Sequence, residues 1–294
     1  MKRAKIVCTI AFSILLFYLG IAESWEISLD ANFTLTQNTY SDNWAGGETG
    51  SISWVFNSNF LVEKQIHPKI NIKTTLKLAF GQTHSQNRDT KKWEKPQKST
   101  DLIDLESLLS FTLGGFVDPF ISGRMETQFF DASDREKDRY INPITFTESF
   151  GIKKEFLKTE KDEWSARIGA GFRNHLDKQV LNMVTGKREN ITTNDGGLIF
   201  VNDFKIVFAQ DKLSYTNKLT LFRAVYNSQS EKLKGLPNEN YWKAIDVNFE
   251  NMFMANITKY LMANIYLQFL YDKEIDKKMR IKETMALSLT FKFI

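Results

Sequence analysis

The sequence predicts an all-β fold: a transmembrane antiparallel up-and-down β-barrel of about 12 strands. Three observations predict it. Apolar and polar side chains alternate through a series of separate stretches, the connections between those stretches alternate short and long, and the chain holds 24 Phe although its mean hydropathy is only −0.33. Successive side chains of a strand point to opposite faces, so strict alternation marks a strand with one oily and one wet side. A chain polar on average yet rich in aromatics suits a wall in which only alternate residues meet lipid.

At the N-terminus, Lys2, Arg3 and Lys5 precede the apolar stretch Ile6 to Ile21. Gly20 and Ala22 then stand at the spacing of a cleavage site before Glu23, with Ala22 and Ser24 as a second choice before Trp25. This pattern predicts a secretory signal peptide over residues 1–22, cleaved, followed by a single barrel domain over residues 23–294. The one cysteine, Cys8, lies inside that leader, so the expected mature chain has no disulfide, no thiol nucleophile and no thiolate metal site. Cys8 also comes too early to be a lipid-attachment cysteine.

Among the predicted strands the last is the clearest. Met285, Leu287, Leu289, Phe291 and Phe293 share one face, and Lys282, Thr284, Ala286, Ser288, Thr290 and Lys292 share the other. The pattern recurs around Ile70–Phe80, Ile103–Leu113, Ile121–Phe129, Trp164–Phe172 and Leu261–Tyr271. Trp25–Tyr40, Ile52–Val62, Pro143–Leu157, Gly197–Ala209, Leu213–Tyr226 and Trp242–Ile257 follow it with exceptions. Glu148 and Asn202 fall on faces that otherwise read as apolar, which implies either bulges or positions near a membrane boundary.

Short turns are expected around His67-Pro68, Val117-Asp118, Lys161-Asp162, Asp211 and Lys259. Long polar loops are expected at Ser41–Gly50, Thr83–Thr100, Asp131–Asn142, Asn174–Gly196, Asn227–Asn240 and Asp272–Met279. Turns at one end and loops at the other is the asymmetry of outer-membrane barrels. Closure follows from solvent: in hydrocarbon an unpaired strand edge leaves backbone groups unsatisfied, so the sheet must meet itself. Aromatics near the strand ends suit an interfacial girdle, namely Trp25, Tyr40, Trp164, Tyr226, Trp242 and Tyr260, with Trp44, Trp93, Tyr140 and Tyr241 beside them.

Short stretches resemble a family of Gram-negative outer-membrane proteins known as domain of unknown function 3078. They are Asn43-Trp44-Ala45-Gly46-Gly47 after the first strand, Ser99-Thr100-Asp101-Leu102-Ile103 at the start of the fourth, and Thr127-Gln128-Phe129 in the fifth. The resemblance implies a barrel and an outer-membrane location, and supplies no activity. Ile294 after Phe293 departs from the aromatic last residue most common in outer-membrane barrels.

The predicted wet face carries both signs of charge: Lys73, Lys77, Asp104, Glu106, Arg124, Glu126, Arg167, Arg173, Asp203, Lys218, Glu250, Lys282 and Lys292, with Lys205 and Asp246. Two readings follow for a bore of this size, a structural network of pairs that blocks it or a narrow passage for small solutes. Three inward contacts are expected: Asp203 with Lys218, Arg124 with Asp104 and Glu106, and Lys292 near Glu26 or Asp30.

Function is therefore expected to be non-enzymatic: a narrow channel, transporter or structural component of the bacterial outer membrane, with no cofactor. Its expected partners are outer-membrane lipid, lipopolysaccharide, the barrel-assembly machinery and possible small solutes, and no nucleic acid, since 39 basic and 35 acidic residues nearly balance. Two alternatives stand beside it. A phospholipase- or protease-like barrel enzyme needs a histidine with an acid or hydroxyl partner, and His84 beside Ser85 and His175 near Asp177 are the suggestive neighbours. A soluble periplasmic β-protein that binds lipid or sugar is the other. Three scattered histidines make no zinc site, and Asp131–Arg139 lacks the spacing of a calcium loop.

Overall fold

The computed structural model describes residues 25–41, 48–134, 136–183 and 185–292, the side chains of residues 291 and 292 excepted. The strands are β1 (Glu26–Asn38), β2 (Ser51–His67), β3 (Ile70–Ser85), β4 (Gln97–Phe111), β5 (Asp118–Thr127), β6 (Phe130–Asp131) and β7 (Arg139–Tyr140), then β8 (Ile144–Lys158), β9 (Glu163–Leu181), β10 (Arg188–Phe208), β11 (Leu213–Asn227), β12 (Ile245–Asn256), β13 (Leu261–Tyr271) and β14 (Arg280–Lys292). All except β6 and β7 form one closed antiparallel barrel of 12 strands, each hydrogen-bonded to its neighbours in chain order. β1 closes the ring on β14, with Asp30 opposite Lys292. Within the barrel no strand edge is left unpaired, as a hydrocarbon setting demands. Among the described residues no helix is long and apolar enough to cross a membrane. The predicted leader, Cys8, Trp44 with its neighbours 43–47, and residues 293 and 294 lie outside the described residues.

Alternation sets the two faces of the wall. In β14, Met285, Leu287 and Leu289 are 73%, 57% and 49% exposed on the outside, whereas Ser288 and Thr290 are 1% and 5% exposed on the inside. The inner residues of this sector bond across strands: Thr34 and Ser288 share a hydrogen bond of 2.8 Å, and Thr290 donates to Asn32 at 2.7 Å. Between β8 and β9 the backbones draw together at Gly151 and Gly169, which are Cα partners. A Cβ on Gly169 would stand 2.0 Å from the Phe150 carbonyl oxygen, so only glycine fits there.

Five connections, none longer than 112–117, fall at one end of the barrel, the turn end, and six, none shorter than 182–187, at the other, the loop end. The expected loop at Asn174–Gly196 is instead mostly strand. β9 and β10 run on as a paired hairpin to Leu181 and Arg188, so the connection is 182–187. Above the membrane both faces of a ribbon meet water, and the apolar half of the alternation vanishes from the sequence. Trp242 does not begin a strand either; it belongs to a 3-10 turn, Tyr241–Lys243, and β12 starts at Ile245.

Glu148 and Asn202 are both outward, and no bulge lies at either. Asn202 accepts a hydrogen bond of 3.0 Å from the Trp164 indole, which gives the indole N–H and the amide oxygen a partner on the outer face. Glu148 is exposed between Phe146 and Phe150 on the outer face of β8.

Candidate functional site

The inward side chains meet across the bore in three levels. Nearest the turn end, Lys73 on β3 donates to both Glu163 oxygens on β9, at 2.7 and 2.5 Å. Lys158 on β8 donates to Glu63 on β2 at 2.6 Å, and Asn71 adds a bond of 3.2 Å to the same carboxylate. These bonds tie β2 and β3 to β8 and β9, across the opening rather than along the wall.

The middle level is the densest. Arg124 grips Asp104 through Nε at 2.8 Å and Nη2 at 3.0 Å, and its Nη2 also lies 2.9 Å from Glu126. Glu106 on β4 receives Arg167 from β9 and, at 2.5 Å, Lys218 from β11. Lys77 on β3 stands 3.8 Å from Glu250 on β12, to which the Tyr266 hydroxyl donates at 3.4 Å. β4 and β11 stand nearly opposite one another in the ring, as do β3 and β12, so these pairs span the lumen. Both partners of Arg167–Glu106 are largely buried, which makes the pairing obligatory: an ion removed from water without its counterion costs several kcal/mol.

At the loop end Arg173 bridges Asp195 and Asp246, at 2.8 and 2.7 Å, and lies 3.8 Å over the Phe222 ring. Between this level and the middle one is a cavity of ≈ 240 Å³. Its charged side is Glu106, Arg124, Arg167 and Lys218; its apolar side is Ile199, Val201 and Phe222. The Nε–H groups of Arg167 and Arg280, both in the lining, have no hydrogen-bond partner among the described residues.

Of the expected contacts, Arg124 meets Asp104, whereas Glu106 turns to Arg167 and Lys218 instead. Asp203 and Lys218 are Cα partners, yet the Lys218 ammonium bonds Glu106, since its long stem reaches across the bore. Lys292 stands opposite Asp30 in the backbone register, its side chain outside the described set. Lys282 donates to Thr100 at 3.0 Å and Lys205 is the Cα partner of Glu163. Glu63, Lys158 and Glu163, absent from the expected set, complete the turn-end level; they stand at strand ends, where alternation is weakest.

The aromatic girdle is also placed differently in part. Trp164 heads a chain of outward rings near the turn end, Phe156–Trp164–Phe204–Tyr215–Phe253, with centroids 4.6, 6.2, 6.0 and 4.5 Å apart. A second chain, Phe33–Trp54–Phe80–Phe129, lies near the loop end. Attention to Trp and Tyr alone hides these phenylalanines, although strand phase and distance from the turns would have found them. Trp25 carries the Lys64 ammonium 5.0 Å over its ring, Tyr40 follows β1 at the loop end, and Tyr226 and Tyr260 are exposed at opposite ends. Trp242 is corrected: it packs on Ile199, Val201, Phe222 and Ala224, inside the barrel, because the turn that carries it folds into the mouth.

Among the described residues none of the histidines pairs with an acid. His175 bonds Thr145 at 3.0 Å, the His84 ring lies tilted against Trp93 with centroids 4.9 Å apart, and His67 accepts from the Lys69 backbone at 3.3 Å. Asp177 is held by Arg139 and Asn142, both at 2.8 Å. Arg139 and Arg188 likewise take Asp131 and Asp134, clasping the β6–β7 loop to the β9–β10 hairpin. The hydrogen bond from Arg188 holds the Asp134 carboxyl down at about 2.

Residues 35–132 match the model of a family described as a protein of unknown function, DUF3078. The span contains all three stretches on which the resemblance was drawn. No curated protein matches the chain. Among solved structures, the COG4313 outer membrane channel from Pseudomonas putida F1 is 14% identical, with 92% of this chain and 94% of that one covered and a TM-score of 0.44. The translocator domain of the autotransporter NalP from Neisseria meningitidis is 7% identical over 99% and 98% of the two chains, at 0.37. A monoaromatic hydrocarbon channel, CymD, is 9% identical over 92% and 88%, at 0.33. Overlap of this degree carries no argument about what the chain does.

Proposed function

We propose that this chain is a non-enzymatic channel of the bacterial outer membrane that admits small polar solutes through a bore held narrow by ion pairs. One observation carries the reading: the middle level, Lys218–Glu106–Arg167 with Lys77–Glu250, crosses the lumen directly beneath a cavity of ≈ 240 Å³. A wall apolar outside and charged inside belongs between lipid and water. Mixed charge at the constriction gives little preference between anions and cations. The charged groups that line the cavity, Glu106, Arg124, Arg167 and Lys218, favour a polar or hydrated solute.

Liposome swelling tests the reading. The wild-type barrel is expected to pass only the smallest sugars and amino acids, and the double variant Glu106→Ala, Lys218→Ala to pass larger ones. Equal size limits for the two proteins would refute a bore set by these pairs. Fractionation with water-soluble proteins would favour the soluble lipid- or sugar-binding alternative, and hydrolytic activity abolished at His84 or His175 would favour the enzyme.

A further inference from the structure

Near the loop end, β10 and β11 invert the pattern of the barrel. Their inward side chains, Ile199, Val201, Phe222 and Ala224, are apolar and buried, while Arg223 faces outward. Its Cα partners are Leu198 and Ile245, and Leu221 and Val225 flank it along β11. Leu198, Ile245 and Val225 are exposed on the same outer face. No ion pair is formed by Arg223 among the described residues, so its charge stands alone in an apolar surround. A charge so placed on a lipid-facing wall is costly unless something outside the chain compensates it.

Beside it runs a groove of ≈ 130 Å³ between Ile168, Leu198, Phe200, Leu221 and Ile245, with Arg223 in its lining. Arg223 is four residues from the loop end of β11, near enough for a long side chain to reach the headgroup level along the wall. The site therefore offers one cation with a planar donor fork and one apolar slot. A phosphate on an acyl chain presents the complementary pair.

We propose that this groove binds a phosphorylated, acylated lipid of the outer leaflet, the lipid A end of lipopolysaccharide, with an acyl chain in the slot and a phosphate on Arg223. The proposal rests on the outer-membrane reading above. A second copy of this chain, offering its outward Glu148, is the competing occupant. One cation set among exposed apolar side chains, with no carboxylate in the groove's lining, favours the lipid.

Native mass spectrometry of the detergent-solubilised barrel tests it, with lipid A and with lipid A stripped of phosphate, on wild type, R223Q and E148Q. Wild type is expected to retain lipid A. Either R223Q or loss of the phosphates should lower the retained fraction roughly ten-fold, and E148Q should bind as wild type does. The stripped lipid reads the same contact in the unaltered chain. Equal retention by R223Q, or by the stripped lipid, would overturn the proposal. So would a wild-type dimer lost in both R223Q and E148Q, which would put a second copy on this face. Heat-dependent gel migration of the same samples separates the two layers of the claim: a heat-modifiable barrel indifferent to Arg223 sinks only the lipid site, whereas a chain that never shows the shift sinks the outer-membrane reading and the site together.

Discussion

Two sectors of one wall are built on opposite principles. From β3 to β5 the inside is ionic, with Lys77, Asp104, Glu106, Arg124 and Glu126, and the outside is apolar, with Leu105 and Ile121 exposed. On β10 and β11 near the loop end the inside is an apolar cluster under Trp242, and a cation stands outside. The cavity lies where the two sectors face each other. Their difference teaches that alternation fixes which residues share a face, while the chemistry of each face is free to vary with height and with what it must meet.

The comparison can be broken in several places. The largest effect is expected at Gly169. Valine there would drive its Cβ against the Phe150 carbonyl, where the wall beside the ionic sector is drawn in. The cost should exceed about 4 kcal/mol, and the heat-modifiable folded band should be absent from gels. Next comes Glu106→Leu, which leaves Arg167 and Lys218 buried without their shared anion. Denaturant unfolding should show a loss of roughly 3–5 kcal/mol. Lys218→Met should cost less, because Glu106 keeps Arg167. Equal costs for the two would mean that the pairs contribute separately and the level is not one unit.

In the apolar sector Phe222→Ala removes the ring beneath Arg173 and beside Trp242. A loss of about 3 kcal/mol is expected, with an enlarged cavity rather than a released charge. A larger loss than that of Glu106→Leu would reverse the ranking of the sectors. The smallest effect is a pH dependence at the mouth. Burial and the neighbouring carboxylates Asp195, Asp272 and Asp246 push the Glu274 carboxyl up to about 7. A raised carboxyl favours folding while protonated, and that contribution fades as pH rises from the ordinary 4.5 through about 7. Hydrogen exchange in residues 272–279, corrected for its intrinsic rate, should therefore quicken from about pH 5 to about pH 8 and flatten in Glu274→Gln. The Asp134–Arg188 clasp, whose carboxyl is held at about 2, should not change over the same interval.

Much of this was legible in the sequence. Twelve strands, their phase and the alternation of turns with loops follow from period-two patterning, because lipid on one side and water on the other leave different residues at odd and even positions. The β9–β10 hairpin was not legible, since water on both sides erases the signal. The inward phase of Ile199, Val201 and Phe222 follows from that of Asp203 and Lys218, but nothing in the alternation marked the inner face there as apolar. The cross-bore partners of Glu106 depend on the girth of the barrel and on side-chain reach, neither of which is written in any one strand. Trp242 looked like a girdle residue because it stands where a strand was expected to begin; the strand begins at Ile245, and the turn that carries Trp242 folds inward.

Nitroxide scanning of β11 from Leu213 to Tyr226 tests the central claim most directly, in lipid bilayers and with Cys8, the one native cysteine, replaced. Collision with membrane-dissolved oxygen should peak at Leu219, Leu221 and Val225 and fall at Lys218, Thr220 and Phe222, with Phe222 shielded from oxygen and from water-soluble paramagnets alike. An oxygen profile without that two-residue period, or one peaking at Lys218 and Phe222, would contradict a lipid-facing wall around a packed, charged bore.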